Sequence, residues 1–199
     1  MTDYFSLLAE PRRPWLDPES LKKKFLTLSA AVHPDRVHNS GAEEKAAAQK
    51  SYMELNQAYQ QLRNPKERLQ HLLELETGAK PQQVQQVPTD LMEFFFQVAQ
   101  LFKQTDSFLA EKAKLSSPLL QVQIFETAQE WTEKLNALQQ QLNARQERLV
   151  TELKELDERW VNAAERKPML GRLEELYRLF SYFARWQSQI QEKVLQLSL

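Results

Sequence analysis

The chain has 199 residues, enough for one domain or two modest ones with a buried core. Lysine and arginine total 26 against 27 aspartates and glutamates, so the formal net charge is −1 and the bulk field does not favour binding to nucleic acid. With no cysteine and only 3 glycines, the composition excludes disulfide scaffolds, thiolate metal sites and glycine-rich phosphate loops. The abundance of leucine, glutamate, glutamine, lysine and alanine predicts an all-α protein.

The sequence also carries no sign of export or of membrane insertion. Its first residues are acidic and aromatic and lack the basic and apolar regions of a secretory signal. No stretch approaches about eighteen uncharged apolar residues, so we expect no membrane span. We therefore expect a cytoplasmic protein, and the lack of cysteine is compatible with a reducing compartment.

The N-terminal segment predicts two helices before residue 34. A first short helix spans residues 4–8 and ends before Pro11. The second begins at Asp17-Pro18, a capping residue followed by proline at the first helical position. Pro34 ends this helix, because proline disfavours helical geometry in the residue before it. The apolar residues of the second helix follow steps of four, three and four along one face: Leu21, Phe25, Leu28 and Val32.

Two more helices complete this segment. The third has an apolar face at steps of three, four and three: Tyr52, Leu55, Tyr59 and Leu62. Asn64-Pro65 ends it and opens a fourth helix with a stripe of Leu69, Leu72 and Leu73. We expect His71 to lie on the outer side of this stripe, at the protein surface.

A segment at residues 77–88 differs in composition from its surroundings. It has two prolines, a glycine and four glutamines and lacks a helical apolar stripe, so we interpret it as a linker. It divides the chain into an N-terminal domain at residues 1–76 and a C-terminal domain at residues 89–199. An ordered loop inside one continuous domain is the alternative.

The C-terminal segment predicts three longer helices. Asp90 and Glu93 form an acidic relative of the capping box and open a helix whose apolar face is Leu91, Phe95, Val98 and Phe102. Ser117-Pro118 starts a second helix, whose repeat is Ala128, Trp131, Leu135, Leu138, Leu142, Leu149 and Leu156, with Arg145 at a position that favours an apolar residue. After Pro168 the repeat is Leu173, Leu176, Phe180, Phe183, Gln187, Ile190, Val194 and Leu197. These stripes predict an elongated three-helix bundle, with a dimeric coiled coil as the alternative.

The tripeptide His33-Pro34-Asp35 carries the most distinctive chemistry in the chain. An imidazole and a carboxylate on a proline-stiffened loop resemble a general base and its orienting group, but no nucleophile accompanies them. His33, Asp35 and His38 match no established metal spacing. A helix end with a capping aspartate is the simplest interpretation of the tripeptide alone. We therefore expect no catalytic residue, metal ion or cofactor.

A run of lysines precedes this tripeptide and makes the neighbouring surface basic. Lys22, Lys23 and Lys24 occupy most of the circumference of the second helix, so they cannot all lie on its apolar stripe. With Arg36 on the loop, they predict a locally positive surface beside His33. Such a surface suits an acidic protein partner and raises its encounter rate more than its final affinity.

The order of these motifs resembles that of a J domain. It consists of a short tyrosine-containing helix, a basic helix, His-Pro-Asp, a helix ending at residues 55–62, and then Asn64-Pro65 and Arg68. The resemblance implies a non-enzymatic co-chaperone that stimulates ATP hydrolysis by a DnaK/HscA-type chaperone. It assigns partner contacts to Lys22, Lys23, Lys24, His33, Pro34, Asp35 and Arg36. It assigns core positions to Tyr4, Leu8, Leu28, Tyr59 and Leu62.

Within the J-domain proteins, the sequence is similar to HscB, the iron–sulfur cluster co-chaperone. Residues 3–8 and the run from Arg68 to Leu75 carry this similarity. HscB implies a three-helix C-terminal bundle that binds a cluster scaffold protein through a Leu-Met-Glu motif, matched by Leu91, Met92 and Glu93. Three phenylalanines at residues 94–96 then replace the expected carboxylates. We expect client contacts at Leu91, Met92, Phe95 and Phe96, although Phe94 and Phe96 packing under neighbouring helices is an equal alternative.

Three functions remain open at this stage. The chain is an HscB-like co-chaperone for an iron–sulfur scaffold protein, a J-domain co-chaperone with a different client, or a helical structural or dimerising adaptor. We expect no nucleic-acid partner and a monomer or weak dimer.

Overall fold

The computed structural model describes residues 2–37, 39–81, 91–114 and 118–198, with side chains described from residue 124 onward in the last range. Within these ranges the chain is helical and contains no strand. The α-helices are α1 Tyr4–Leu7, α2 Pro18–Ala31, α3 Ala42–Arg63, α4 Pro65–Thr77, α5 Met92–Lys112, α6 Pro118–Asn162 and α7 Lys167–Ser198. The prediction of an all-α fold is confirmed.

Side-chain caps fix where the N-terminal helices begin. The Asp17 carboxylate accepts a hydrogen bond from the Ser20 amide at 2.8 Å, and Pro18 occupies the first helical position of α2. Asn64 does the same for α4, accepting from the Lys66 amide at 3.0 Å. Gly78 ends α4 in the left-handed conformation with φ 76°, which glycine adopts without the steric cost of a β-carbon.

The chain divides into two compact units. One contains Met1–Gln82 and Thr151–Tyr177, and the other contains Gln83–Val150 and Arg178–Leu199. The N-terminal unit therefore includes the end of α6 and the beginning of α7 in addition to α1–α4. The linker at residues 77–88 stays a prediction, because α4 includes Thr77 and residues 82–88 lie outside the described ranges.

A buried carboxylate on α6 anchors the segment between α1 and α2. Asp157 is 1% exposed; it pairs with the Arg13 guanidinium and accepts a hydrogen bond from the Trp15 amide at 3.1 Å. Hydrogen bonding to Asp157 raises the pKa of Arg13. One turn further along α6, the indole of Trp160 donates to the carbonyl of Arg12 at 3.0 Å. These contacts satisfy backbone groups of a segment that has no helix of its own.

Arg68 of α4 also binds the segment between α1 and α2. Its guanidinium is buried and donates to the carbonyls of Pro14 at 2.7 Å and Leu62 at 2.6 Å. Burial lowers the pKa of Arg68 to about 10, and the negative charge of Asp157 opposes part of this shift. The guanidinium is therefore still protonated at neutral pH and keeps its donors for both carbonyls.

Of the five residues expected in the N-terminal core, Leu8 and Leu62 are fully buried, and Tyr4, Leu28 and Tyr59 are half-buried. The Tyr4 hydroxyl accepts a hydrogen bond from the Gln57 side chain on α3 at 2.7 Å, which explains why its polar end remains near solvent. The buried apolar residues of α1–α4 and the segment before α2 are Phe5, Leu8, Leu16, Leu21, Leu55, Ala58, Leu62, Leu69, Leu72 and Leu73.

The expectation that His71 lies at the surface is wrong. Its side chain is buried, stacks on the Phe5 ring at 5.8 Å between centroids, and accepts a hydrogen bond at Nε2 from the Tyr4 amide at 3.1 Å. Burial lowers the pKa of the imidazole, and the nearby Asp3 carboxylate opposes this shift. The Nε2 atom must be unprotonated to accept this bond, so His71 joins α4 to α1 in its neutral form.

The bundle helices pack mainly as their apolar repeats predict. On α6 the predicted residues Ala128, Leu135, Leu138, Leu142 and Leu156 are buried, and Trp131 and Leu149 are half-buried. On α7 all predicted positions are buried except Gln187 and Val194, which are half-buried. The Gln187 side chain donates to Gln146 on α6 at 2.7 Å, so the polar interruption in α7 has a partner within the chain.

The predicted apolar stripe of α5 is wrong by one residue in the first turn of the helix. Phe94, at 1% exposed, is buried in place of Phe95, and Val98 follows one turn later. Phe102 is half-buried, whereas Thr105 is fully buried with its hydroxyl donating to the Leu101 carbonyl at 2.9 Å. Arg145, which interrupts the repeat of α6, places its guanidinium 4.6 Å from the centroid of the Phe94 ring. A cation over an aromatic face therefore replaces the apolar contact that this position favours.

The predicted capping residue Asp90 lies outside the described ranges, and the first helical turn of α5 has no side-chain cap. Among the described residues, none of the helices combines the length and the apolar character that crossing a membrane requires.

We predict that His71 makes stability depend on pH. Its pKa in the folded chain lies below the usual value of about 6.5, so its contribution is complete above that pH and is lost as the pH falls. Urea unfolding at about pH 7.5 and about pH 5.5 should show a smaller loss of unfolding free energy for His71→Gln than for the wild type. The His33→Gln variant is the control and should keep the wild-type dependence. Equal losses in the wild type and in His71→Gln would contradict this role.

Candidate functional site

The His-Pro-Asp tripeptide forms a sharp turn at the end of α2. Val32 caps the helix, with its amide donating to the Leu28 carbonyl at 3.3 Å, and Pro34–Val37 then form a 3₁₀ turn. The Arg36 amide donates to the carbonyl of His33 at 3.0 Å. Because proline fixes its own φ and restricts the preceding residue, the backbone direction of this turn is set locally. We call residues 33–35 the elbow.

The side chains of the elbow are accessible and mutually oriented. The Nδ1 atom of His33 accepts a hydrogen bond from the Asp35 amide at 3.3 Å and lies 3.5 Å from the Asp35 carboxylate. The edge of the imidazole packs against Tyr52 of α3 at 5.1 Å between centroids. Asp35 is exposed to solvent, with 91% of its side-chain surface accessible. Tyr52 therefore packs against His33, while the Asp35 side chain remains exposed to solvent.

An aromatic contact holds α2 against α3. Phe25 and Tyr59 stack with centroids 4.3 Å apart and planes inclined by 9°. This contact lies on the buried face of α2, together with Leu21 and Leu28. It determines which residues of α2 face solvent beside the elbow.

The three lysines of α2 are all exposed, but their surroundings differ. Lys24 forms an ion pair with Glu10 at 2.9 Å and donates to the Ala9 carbonyl at 3.1 Å. At about 100° per residue, Lys22 lies about 160° from Lys24 around α2, and Lys23 lies about 100° from each of them. The structure thus separates one internally paired lysine from the two others.

Arg36 extends the basic surface from the elbow back onto α2. Its guanidinium donates to the carbonyl of Ala30 at 3.4 Å, which places its positive charge at the C-terminal end of the helix. Cations are favourable at that end of a helix because its last carbonyls have no intrahelical partner. Lys22, Lys23 and Arg36 therefore lie along the exposed side of α2 that leads to the elbow.

An exposed leucine, not singled out in the sequence, lies on the same side of α2. Leu26 is 54% exposed and stands three or four residues from Lys22, Lys23 and Ala30. The signal for this position was present in the sequence, because Leu26 falls outside the apolar repeat of α2. We call Lys22, Lys23, Leu26, Ala30 and Arg36 the α2 face.

The structure also separates the four residues expected to contact a client. Leu91 is buried, so its side chain does not form an accessible surface. Phe95 is half-buried, with its ring 6.4 Å from that of Trp186. Met92 is 39% exposed and Phe96 is 61% exposed, and their spacing of four residues places them on one side of α5. The alternative that Phe94 and Phe96 are both packed is thus correct for Phe94 alone.

Of the three residues considered as metal ligands, His33, Asp35 and His38, the last lies outside the described ranges. Among the residues that the structure describes, no three His, Asp or Glu side chains come close enough to hold a metal ion.

Comparison with known proteins identifies the N-terminal part of the chain. Residues 3–71 match the DnaJ domain family. A co-chaperone HscB homolog of Bordetella pertussis is 40% identical over 72 residues, and the HscB homolog of Bordetella parapertussis gives the same values. This match covers 36% of the chain and 42% of the relative, about two fifths of the length of these curated relatives.

The fold of the whole chain resembles that of two solved HscB structures. The chaperone HscB from Vibrio cholerae gives a TM-score of 0.57 at 19% identity, covering 96% of each chain. Human co-chaperone protein HscB gives a TM-score of 0.62 at 19% identity, covering 97% of this chain and 82% of the human one. At 19% identity, these two matches show a similarity of fold alone.

The match over residues 3–71, which include the exposed elbow, identifies this part of the chain as a J domain. The N-terminal part is also similar in sequence to HscB homologs, and the fold of the chain is similar to that of the two HscB structures.

Proposed function

We propose that this protein is a non-enzymatic co-chaperone that stimulates ATP hydrolysis by a DnaK/HscA-type chaperone. The observation that carries the proposal is the exposed elbow, His33-Pro34-Asp35, oriented by Tyr52 beside a row of solvent-facing cations. The partner performs the hydrolysis. The elbow acts by binding one conformation of that partner more tightly and thereby increasing its population.

The basic residues beside the elbow fit a role in docking. The whole chain is close to neutral, so its positive potential is local and directs an acidic partner to α2. Of the residues assigned to the partner, Lys22, Lys23 and Arg36 lie on the α2 face, whereas Lys24 is engaged by Glu10. We therefore propose that Lys24 contributes less to docking than the other three cations do.

We predict that His33→Gln removes most of the stimulation of ATP hydrolysis, because glutamine does not reproduce the imidazole edge held against Tyr52. The measurement is single-turnover ATP hydrolysis by a purified DnaK/HscA-type chaperone with the full chain added. Urea unfolding should give a free energy within about 0.5 kcal/mol of the wild-type value, because His33 is not part of the buried core. Wild-type stimulation by His33→Gln would contradict the proposed function.

The lysines offer a matched comparison in the same assay. Lys22→Gln should weaken stimulation, and the loss should shrink at high salt because screening already reduces the attraction. Lys24→Gln removes the same charge from a lysine that is paired within the chain and should have a smaller effect.

We further propose that the C-terminal helices bind a client, an iron–sulfur cluster scaffold protein. The support is the resemblance to HscB and the exposed pair Met92 and Phe96 on α5. Large exposed aromatic side chains are frequent binding anchors. The three phenylalanines in place of carboxylates favour a second candidate, a client with an apolar rather than a basic surface. We place this function in the cytoplasm, with the chain acting as a monomer or weak dimer.

We predict that Phe96→Ala weakens binding of the scaffold protein about tenfold or more, because an interface anchor loses its aromatic contact. Isothermal titration calorimetry with the purified scaffold measures this loss. Phe125→Ala is the matched control, because Phe125 is 70% exposed on α6. Both variants should keep their stability, whereas Phe94→Ala should cost about 3–5 kcal/mol because Phe94 is buried. An unchanged affinity for Phe96→Ala would exclude Phe96 as an anchor.

A further inference from the structure

The α2 face combines an exposed leucine with positive charges before and after it along the helix. Leu26 is 54% exposed, and Lys22 and Lys23 precede it by one helical turn on the same side. On its other side, Ala30 follows one turn later, and the Arg36 guanidinium is held at the Ala30 carbonyl at 3.4 Å. Along the helix axis, two cations therefore precede Leu26 and a third follows it.

A single exposed leucine is common on protein surfaces and means little alone. Here, two further observations distinguish the position. Arg36 directly follows the elbow, and its contact with the Ala30 carbonyl places a positive charge at the end of α2, one turn after Leu26. Lys24 is exposed as well, but it lies on the other side of α2 from Leu26 and its charge is paired with Glu10 within the chain.

We propose that Leu26 is an apolar anchor for the ATPase chaperone, and that the receiving surface is an apolar pocket bordered by carboxylates. This inference rests on the proposed function and adds the chemistry of the contact. The α2 face adjoins the elbow, since His33 lies two residues after the end of α2 and Arg36 contacts the Ala30 carbonyl. A partner that contacts the elbow therefore meets Leu26 in the same encounter.

The two parts of the face have separable effects. Lys22, Lys23 and Arg36 attract the partner over a distance, and salt screens that attraction. Leu26 acts on contact by removing apolar surface from water, and this contribution does not weaken at moderate salt. Affinity that persists when the charges are screened is the signature of the apolar anchor.

The test compares Leu26→Ala with the wild type in binding to a purified DnaK/HscA-type chaperone with ATP bound. Alanine is a better helix former than leucine, so α2 should remain folded. We expect about tenfold weaker binding with an unchanged dependence on salt, and about wild-type binding by Leu26→Met, which keeps an apolar side chain of similar volume. Leu195→Ala is the matched control, because Leu195 is a 61% exposed leucine on α7, in the other compact unit.

Each outcome has a distinct meaning. Wild-type affinity of Leu26→Ala, combined with lost stimulation by His33→Gln, would overturn the apolar anchor and leave the proposed function intact. Full stimulation by His33→Gln would overturn both. Binding to vesicles of anionic lipid that is lost in Leu26→Ala, with no change in chaperone affinity, would assign the α2 face to a membrane surface and contradict the proposal.

Discussion

The proposed docking surface depends on the packing of α2 against α3. The stacked rings of Phe25 and Tyr59 fix the rotation of α2, and the contact between His33 and Tyr52 fixes the direction in which the chain leaves it. Rotating α2 by one residue, about 100°, would move Leu26 and the cations around it away from the side that leads to the elbow. Two aromatic contacts thus determine which side chains of α2 are exposed beside the elbow.

A second constraint acts on the segment that precedes α2. Asp157 of α6 accepts a hydrogen bond from the Trp15 amide and pairs with the Arg13 side chain. Arg68 of α4 donates a hydrogen bond to the Pro14 carbonyl. Buried charges require such partners, since an unpaired one in the interior is costly. The N-terminal unit therefore includes residues 151–177 as well as α1–α4. A chain cut near residue 76 would lack the contacts that these residues make with the segment before α2.

Much of the helical framework could be predicted from sequence because its signals are local. Asp17-Pro18 and Asn64-Pro65 specify helix starts through caps and proline geometry within a few residues. The burial of His71 could not be predicted this way, because its partner is the Tyr4 amide 67 positions away. The same limit applies to α5, where three adjacent phenylalanines fit several phases of one helix. Packing against Trp186 and Arg145 selects Phe94.

The sequence predicts which residues belong to the candidate site, but it does not predict which contacts those residues make. The motif His-Pro-Asp and the lysine run are visible in sequence, but the pairing of Lys24 with Glu10 and the position of Arg36 over the end of α2 depend on tertiary contacts. Leu26 was visible only as a residue outside the apolar repeat. Periodicity shows which residues share a face, whereas the contacts of that face require the folded chain.

The most direct test of the account is an amide NMR titration of the isotopically labelled full chain with the ATP-bound chaperone. The account predicts that the resonances of the α2 face and of residues 33–36 broaden or shift first, while the amide of Lys24 changes less. Perturbation confined to other helices, with the α2 face and the elbow unchanged, would contradict it.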